Sequence, residues 1–210
     1  MLLRQLQSLL NRIYDTGVEL DVYDFLVMHR QPAPLADEQV LVRMDGDTLR
    51  MAVVLDSGVL ERLDRSNPLL ALDAGNLADY WTALEGVSHF HYLTWNAQRD
   101  RPVTLHELEM QAEVDKYAVT LFLLGAQHAG RFPARLHHWL FGRTRVDPAL
   151  AGERRPLYES ASRYAARFCR VLERRFLERG RIRSEALVRE LRAFYRLTHA
   201  PKIRLIEGGP

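Results

Sequence analysis

The stretch Gly86-Val87-Ser88-His89-Phe90-His91-Tyr92 sets two histidines two residues apart. Imidazole is the side chain whose ordinary pKa lies closest to neutrality, so it serves as general base, proton shuttle or metal ligand. Spacing decides whether the two act together. A helix turns by about 100° per residue, so side chains at i and i+2 leave opposite sides and cannot meet at one point. His89 and His91 are therefore not a chelating pair.

Their surroundings separate them further. With Leu84 at the centre of the helical wheel, Leu77, Tyr80, Val87, His91 and Trp95 form one apolar stripe. This phase predicts a buried His91 with a hydrogen-bonded ring nitrogen, and a largely exposed His89 beside Glu85 one turn earlier.

His89 could still do chemistry with help from the next helix. There His106, Glu109, Glu113, Lys116 and Thr120 form a polar stripe. An antiparallel hairpin broken at 97–102 would set His89 level with Ala112 and Glu113, and Glu85 level with Lys116. His89 and Glu113, joined by Glu109 or Glu85, are the candidate residues for a divalent metal or an acid–base pair, the way sites are built between the helices of a bundle. The sequence lacks both the Glu-x-x-His and the His-Glu-x-x-His spacings of known helical metal sites. The simpler expectation needs no metal and no cofactor: Glu85 pairs with Lys116, and Glu109 and Glu113 face solvent or the basic C-terminal half.

Other chemistry is sparse. His137 and His138 are adjacent on a short helix, so one is expected buried and the other exposed. Cys169 is the single cysteine and sits in an apolar context, which predicts an inert buried thiol. No glycine-rich phosphate loop is present, and nothing in the sequence marks any serine as an activated nucleophile.

Charge is the second signal. The net charge is +2, but residues 1–142 hold 12 basic and 19 acidic side chains, and residues 143–210 hold 17 basic and 8 acidic. Arg163, Arg167, Arg170 and Arg174 recur at intervals of 4, 3 and 4, one face of a helix, and Arg189, Arg192 and Arg196 repeat the arrangement on the next. Guanidinium forks suit carboxylates and phosphates alike. These seven arginines are the expected partner-binding residues. The expected partner is protein, either this chain's own acidic half, a second copy or an acidic protein. Nucleic acid is the alternative, although no aromatic stacking pattern or helix-turn-helix spacing accompanies the arginines.

Elements must position these residues. Leu2, Leu6, Leu9, Leu10 and Ile13 make one helical stripe over 2–14. Residues 18–29 read as a strand. Two alternating runs in 38–55 flank Asp45-Gly46-Asp47, a turn signal because Asp and Gly tolerate positive φ. A short helix follows Ser57, and 64–68 is a loop. From Asn76 onward the pattern is helical: Asn76 to about Asn96; Thr104, as N-cap with Glu107 in a capping box, to Leu124; 133–142; a linker over 143–156; Leu157 to Arg179; Ser184 to Leu197; and a short tail segment opened by Pro201. The fold class is α+β: a small N-terminal antiparallel sheet of about three strands with a helix, then a bundle of four to six helices. The expected division is 1–66 and 70–210, or one continuous domain.

Composition bounds the rest. Hydrophobic residues at 47% and charged residues at 27% are those of an ordinary globular chain. No apolar run reaches the ~20 residues of a membrane span, and the N-terminal pattern is periodic rather than that of a signal peptide. One cysteine excludes an internal disulfide and fits a reducing cytoplasm. Arginine supplies 27 of the 29 basic residues, as a GC-rich bacterial genome would produce. The leading functional expectation is a bacterial, cytoplasmic, non-enzymatic interaction or accessory protein acting through segregated acidic and arginine-rich surfaces. The alternatives are a metal-dependent or acid–base enzyme with its site between helices 77–96 and 104–124, and a nucleic-acid binder using the arginine face of 157–196.

Overall fold

A computed structural model describes residues 1–29, 38–46, 48–131, 135–142, 154–178, 181–182 and 184–208. The expected linker at 143–153, Asp47 of the hairpin turn, residues 133–134 and the helix end at 179–180 lie outside them. The fold is α+β. In chain order come α1 (Leu2–Tyr14), β1 (Leu26–His29), β2 (Glu38–Asp45), β3 (Thr48–Asp56), α2 (Ser57–Arg65), α3 (Leu77–Ala97), α4 (Leu105–Gln127), α5 (Leu136–Phe141), α6 (Arg155–Phe176), β4 (Leu177–Glu178), β5 (Arg181–Ile182), α7 (Ser184–Tyr195) and α8 (His199–Glu207). Among the described residues no helix is long and apolar enough to cross a membrane.

The chain divides into two compact units, residues 1–11 with 16–102 and residues 12–15 with 103–210. The first holds the sheet, in the order β1-β3-β2. β2 and β3 pair antiparallel from Glu38↔Leu55 to Asp45↔Thr48, around the expected turn, where Gly46 adopts φ +60°. One detail of the expected antiparallel sheet is corrected: β1 runs parallel to β3, Leu26↔Val53 to His29↔Asp56. Residues 18–29 are also not strand throughout. Asp21 caps a 3-10 turn over Val22–Phe25, its side chain accepting from the Tyr23 N–H, and only four residues remain extended. The strand reading missed this because a local Asp turn competes with the strand.

β3 ends at Asp56, whose carboxylate accepts from the N–H groups of Gly58 and Val59 and so starts α2. Val53 and Leu55 of β3 lie in the unit's core with Val59, Leu63, Tyr80, Leu84, Val87 and Phe90. α3 packs on this sheet and is buried on nearly every side, from Tyr80 to Asn96.

The second unit is helical. Thr104 caps α4 as expected, its hydroxyl accepting from the Glu107 N–H at 3.2 Å. α4 packs along α6, and α7 and α8 close on α6 in turn. Phe168 and Phe194 stack with ring centroids 3.9 Å apart, and Tyr14 stacks on Tyr195 at 4.1 Å. The small hairpin β4–β5 was not expected; α6 stops at Phe176, where Leu177 turns extended.

Candidate functional site

In the first unit the two histidines of α3 have different fates, as the wheel requires, but both are buried. His91 is fully enclosed and hydrogen-bonded as expected. Its Nε2 lies 3.1 Å from Asn11 Oδ1 and 2.9 Å from the Thr16 hydroxyl. An amide oxygen only accepts, so Nε2 carries the proton. Burial holds the His91 pKa down at about 3, and the ring is neutral at physiological pH.

His89 corrects an expectation: it is 4% exposed, not open to solvent. The wheel assumed one buried face, whereas β2 and β3 cover a second face of α3. Gly86 makes the cover close. A Cβ there would stand 3.1 Å from Glu38 Cγ and 3.2 Å from Val53 Cγ1. The Glu38 side chain therefore lies across the helix, and its Oε1 is 3.4 Å from His89 Nδ1. Glu85, one turn before His89, has a carboxylate oxygen within 4.8 Å of a His89 ring nitrogen. His89 thus has one carboxylate of β2 and one of its own helix within reach. Glu38 was missed in the sequence because nothing local marks it; its role comes from strand register.

Glu109 and Glu113, the other residues of the expected cluster, stand on α4 in the second unit. Glu113 pairs with Lys116 one turn later at 2.6 Å. Glu109 is 9% exposed and does not face solvent.

A different polar network fills the second unit's interior. Tyr14 donates to Asp115 Oδ1 at 2.5 Å, Gln111 Nε2 donates to the same oxygen at 2.7 Å, and Lys202 Nζ donates to Gln111 Oε1 at 2.6 Å. All four residues are fully buried. Gln111 is the hinge: its amide donates to the carboxylate and accepts from the ammonium, linking two opposite charges. The Lys202 ammonium also sits 4.8 Å from the Phe194 ring centroid. Burial, then Asp115, pushes the Tyr14 hydroxyl pKa well up, so it remains a donor. Donors and acceptors alternate throughout, which is how a buried ionic network stabilises rather than reacts.

At the α4–α6–α8 junction lies an arrangement the sequence did not signal. His106 Nε2 is 3.1 Å from the Ser160 hydroxyl, and His106 Nδ1 is 2.9 Å from His199 Nε2. Tyr164 stands edge-on to His106 at 5.9 Å and donates to Glu207 Oε1 at 2.6 Å. Burial and the neighbouring His199 lower the His106 pKa. Sequence separations of 54 and 93 residues hid this trio.

The arginines divide. Arg163, Arg167, Arg170 and Arg174 are all exposed on α6, but Arg170 donates to Glu173 at 2.8 Å and to His137 Nδ1 at 3.0 Å. Arg192 donates to the carbonyls of Ile13 and Arg12 at 2.9 Å each, and Arg196 to that of Asp15 at 3.2 Å. These two neutralise the carbonyl end of α1, where the helix dipole is negative. Arg189 lies 4.0 Å from Glu185. Among the described residues, Arg163, Arg167 and Arg174 have no ion pair.

Two further expectations, for His137 with His138 and for Cys169, are met. His137 is buried, its Nε2 2.9 Å from the Ala166 carbonyl oxygen, and His138 is exposed. Cys169 is fully buried, and burial followed by Glu113 and Glu173 raises its thiol pKa well above the ordinary value, which leaves it unreactive.

No family model, curated protein or solved structure matches this chain. Functional reasoning therefore rests on these sites alone.

Proposed function

We propose that the protein is a metal-dependent enzyme whose divalent cation is held by His89 and Glu85 of α3 together with Glu38 of β2. The observation that carries this reading is the gathering of two carboxylates around one buried imidazole, with His89 Nδ1 at 3.4 Å from Glu38 and Glu85 within 4.8 Å. A set of one imidazole and two carboxylates suits a borderline-hard cation such as Mn²⁺ or Zn²⁺. Three protein ligands would leave a position for water, whose pKa the cation lowers toward neutrality, and the natural chemistry is metal-assisted hydrolysis. Glu85 and His89 stand one turn apart on a helix that is buried nearly all round, so the ligands are held rigidly.

Titration calorimetry of chelator-treated, untagged protein with Mn²⁺ and with Zn²⁺ tests this. One site per chain is expected for at least one ion, weakened a hundredfold or more by His89→Gln or Glu85→Gln. Binding unaffected by both substitutions would overturn the reading.

A second reading keeps the charged surface as the functional element, in a cytoplasmic protein that recruits an acidic protein partner. It is favoured by the alignment of Arg163, Arg167 and Arg174 in water on one face of α6. Retention of an acidic protein that is lost on Arg163→Glu with Arg174→Glu supports it. Equally tight binding to arbitrary nucleic acid, falling steeply with salt, would assign the face to phosphate instead.

A further inference from the structure

We propose that Ser160, His106 and His199 form a nucleophilic relay that hydrolyses carboxylic esters bearing an anionic group. The inference uses residues of the second unit alone and stands apart from the cation site.

The geometry is that of nucleophile, base and orienting group. Ser160 Oγ lies 3.1 Å from His106 Nε2, and the other nitrogen of that ring lies 2.9 Å from His199 Nε2. A serine hydroxyl is a weak nucleophile until an adjacent base takes its proton, and the base works best when a third group fixes its tautomer. With Ser160 donating to Nε2, His106 must carry its proton on Nδ1 and donate to His199. His199 is thus a positioning residue.

The protonation state also fits. Burial and His199 lower the His106 pKa, keeping the ring neutral and ready to accept at pH 7. His106 and His199 both stand in the first turn of their helices, α4 and α8, where the dipole is positive. That end disfavours an imidazolium at rest and favours the negative charge that develops on an attacked carbonyl oxygen. All three residues are half-buried, open enough for a substrate to reach them.

Substrate class follows from the same face of α6. Ser160, Arg163, Tyr164 and Arg167 are spaced i, i+3, i+4 and i+7, so they share one side of the helix. Arg163 and Arg167 are exposed and both act electrostatically on Tyr164. They place two guanidinium groups within two helical turns of the nucleophile. A carboxylate or phosphate on the acyl chain would be held there by paired hydrogen bonds.

The steps balance with water as the only co-reactant. Ser160 Oγ attacks the ester carbonyl carbon while its proton passes to His106 Nε2. The tetrahedral intermediate collapses, the carbon–alkoxy bond breaks, and the departing alkoxide takes that proton. Water then attacks the acyl-serine, giving one proton to His106, which returns it to Ser160 as the acid leaves.

The test uses two p-nitrophenyl esters, the anionic hemisuccinate and the neutral acetate, with intact-mass analysis of the quenched protein. A mass increase of one succinyl group mapping to Ser160 is expected, with kcat/KM favouring hemisuccinate by tenfold or more. Arg167→Gln should erase that preference by lowering kcat/KM for hemisuccinate tenfold or more. Ser160→Ala should abolish the adduct, and His106→Gln should lower the rate by about 10²–10⁴. His199→Leu should lower kcat with KM unchanged. His199→Gln, whose amide oxygen still accepts from His106 Nδ1, should restore most of it. Absence of an adduct at Ser160 in the wild-type protein, or hydrolysis unchanged in a folded Ser160→Ala variant, would overturn the proposal.

Discussion

Each unit buries a polar cluster, and the two are built on opposite plans. In the second unit Tyr14, Asp115, Gln111 and Lys202 form a chain in which every donor meets an acceptor, and one carboxylate is balanced by one ammonium. In the first, Glu38 and Glu85 bring two carboxylates to the single imidazole of His89. Both clusters lie in close-packed surroundings, so burial alone does not separate structure from function. The kinds of donor they offer do. The second unit's cluster links a carboxylate to an ammonium through an amide, while the first unit's offers an imidazole and carboxylates, the donor types that suit a divalent cation.

The sharpest way to break this comparison is to unbalance the second cluster. Lys202→Ala leaves Asp115 charged and Gln111 with its acceptor exposed to nothing, and should cost about 3–5 kcal/mol in urea denaturation. Lys202→Met keeps the volume and the contact with Phe194 but removes the same charge, and should cost nearly as much. A loss in Lys202→Met much smaller than that in Lys202→Ala would show that packing, not charge balance, governs the chain.

The first cluster should respond to cation instead. Its cation, present at a hundredfold its Kd, should raise stability by about 2.7 kcal/mol, and His89→Gln should remove that increment without unfolding the protein. Thermal denaturation with and without Mn²⁺ or Zn²⁺ reads this directly.

His91 sharpens the contrast because it shares a helix with His89 and yet is closed by Asn11 and Thr16. Its folded pKa, about 3, lies below the ordinary value. The unfolded chain therefore binds the proton more readily, and stability is present above the unfolded pKa and lost as pH falls from about 6.5 toward 3. Between pH 7.5 and 5 the loss should be about 2 kcal/mol. In His91→Gln the His91 share of that slope should be lost. A wild-type stability that is flat over this range would mean that His91 is not the neutral, enclosed ring described here.

Gly86→Ala gives the smallest effect and the most specific one. Helix propensity favours Ala by about 1 kcal/mol, but the added Cβ meets Glu38 and Val53 and overpacking costs about 1–3 kcal/mol. A net loss of about 1 kcal/mol is expected, with cation affinity lowered about tenfold because Glu38 is displaced.

Much of this architecture is legible in local sequence. The stripe of Leu2, Leu6, Leu10 and Ile13 defines α1, Thr104 starts α4, and Asp45-Gly46 turns β2 into β3. His91 is also legible, since it lies within an apolar stripe. What escapes is everything decided by a second contact surface. His89 looks exposed on a wheel that allows one buried face, yet the sheet covers another. Lys202 looks like a solvated lysine, because lysine is almost never fully buried unless paired, and its partner Gln111 lies 91 residues away. Ser160 carries no local mark, and its activation depends on His106 and His199 arriving from two other helices. The parallel placement of β1 likewise depends on a crossover, not on any residue within the strand.

The cation site is the central claim, and metal content measures it most directly. Protein purified without a histidine tag, from medium supplemented with Mn²⁺ and Zn²⁺, should retain about one divalent ion per chain after gel filtration, and Glu85→Gln with His89→Gln should retain none while remaining folded. A wild-type chain that elutes free of divalent metal, or a double variant that carries as much metal as the wild type, would contradict the account.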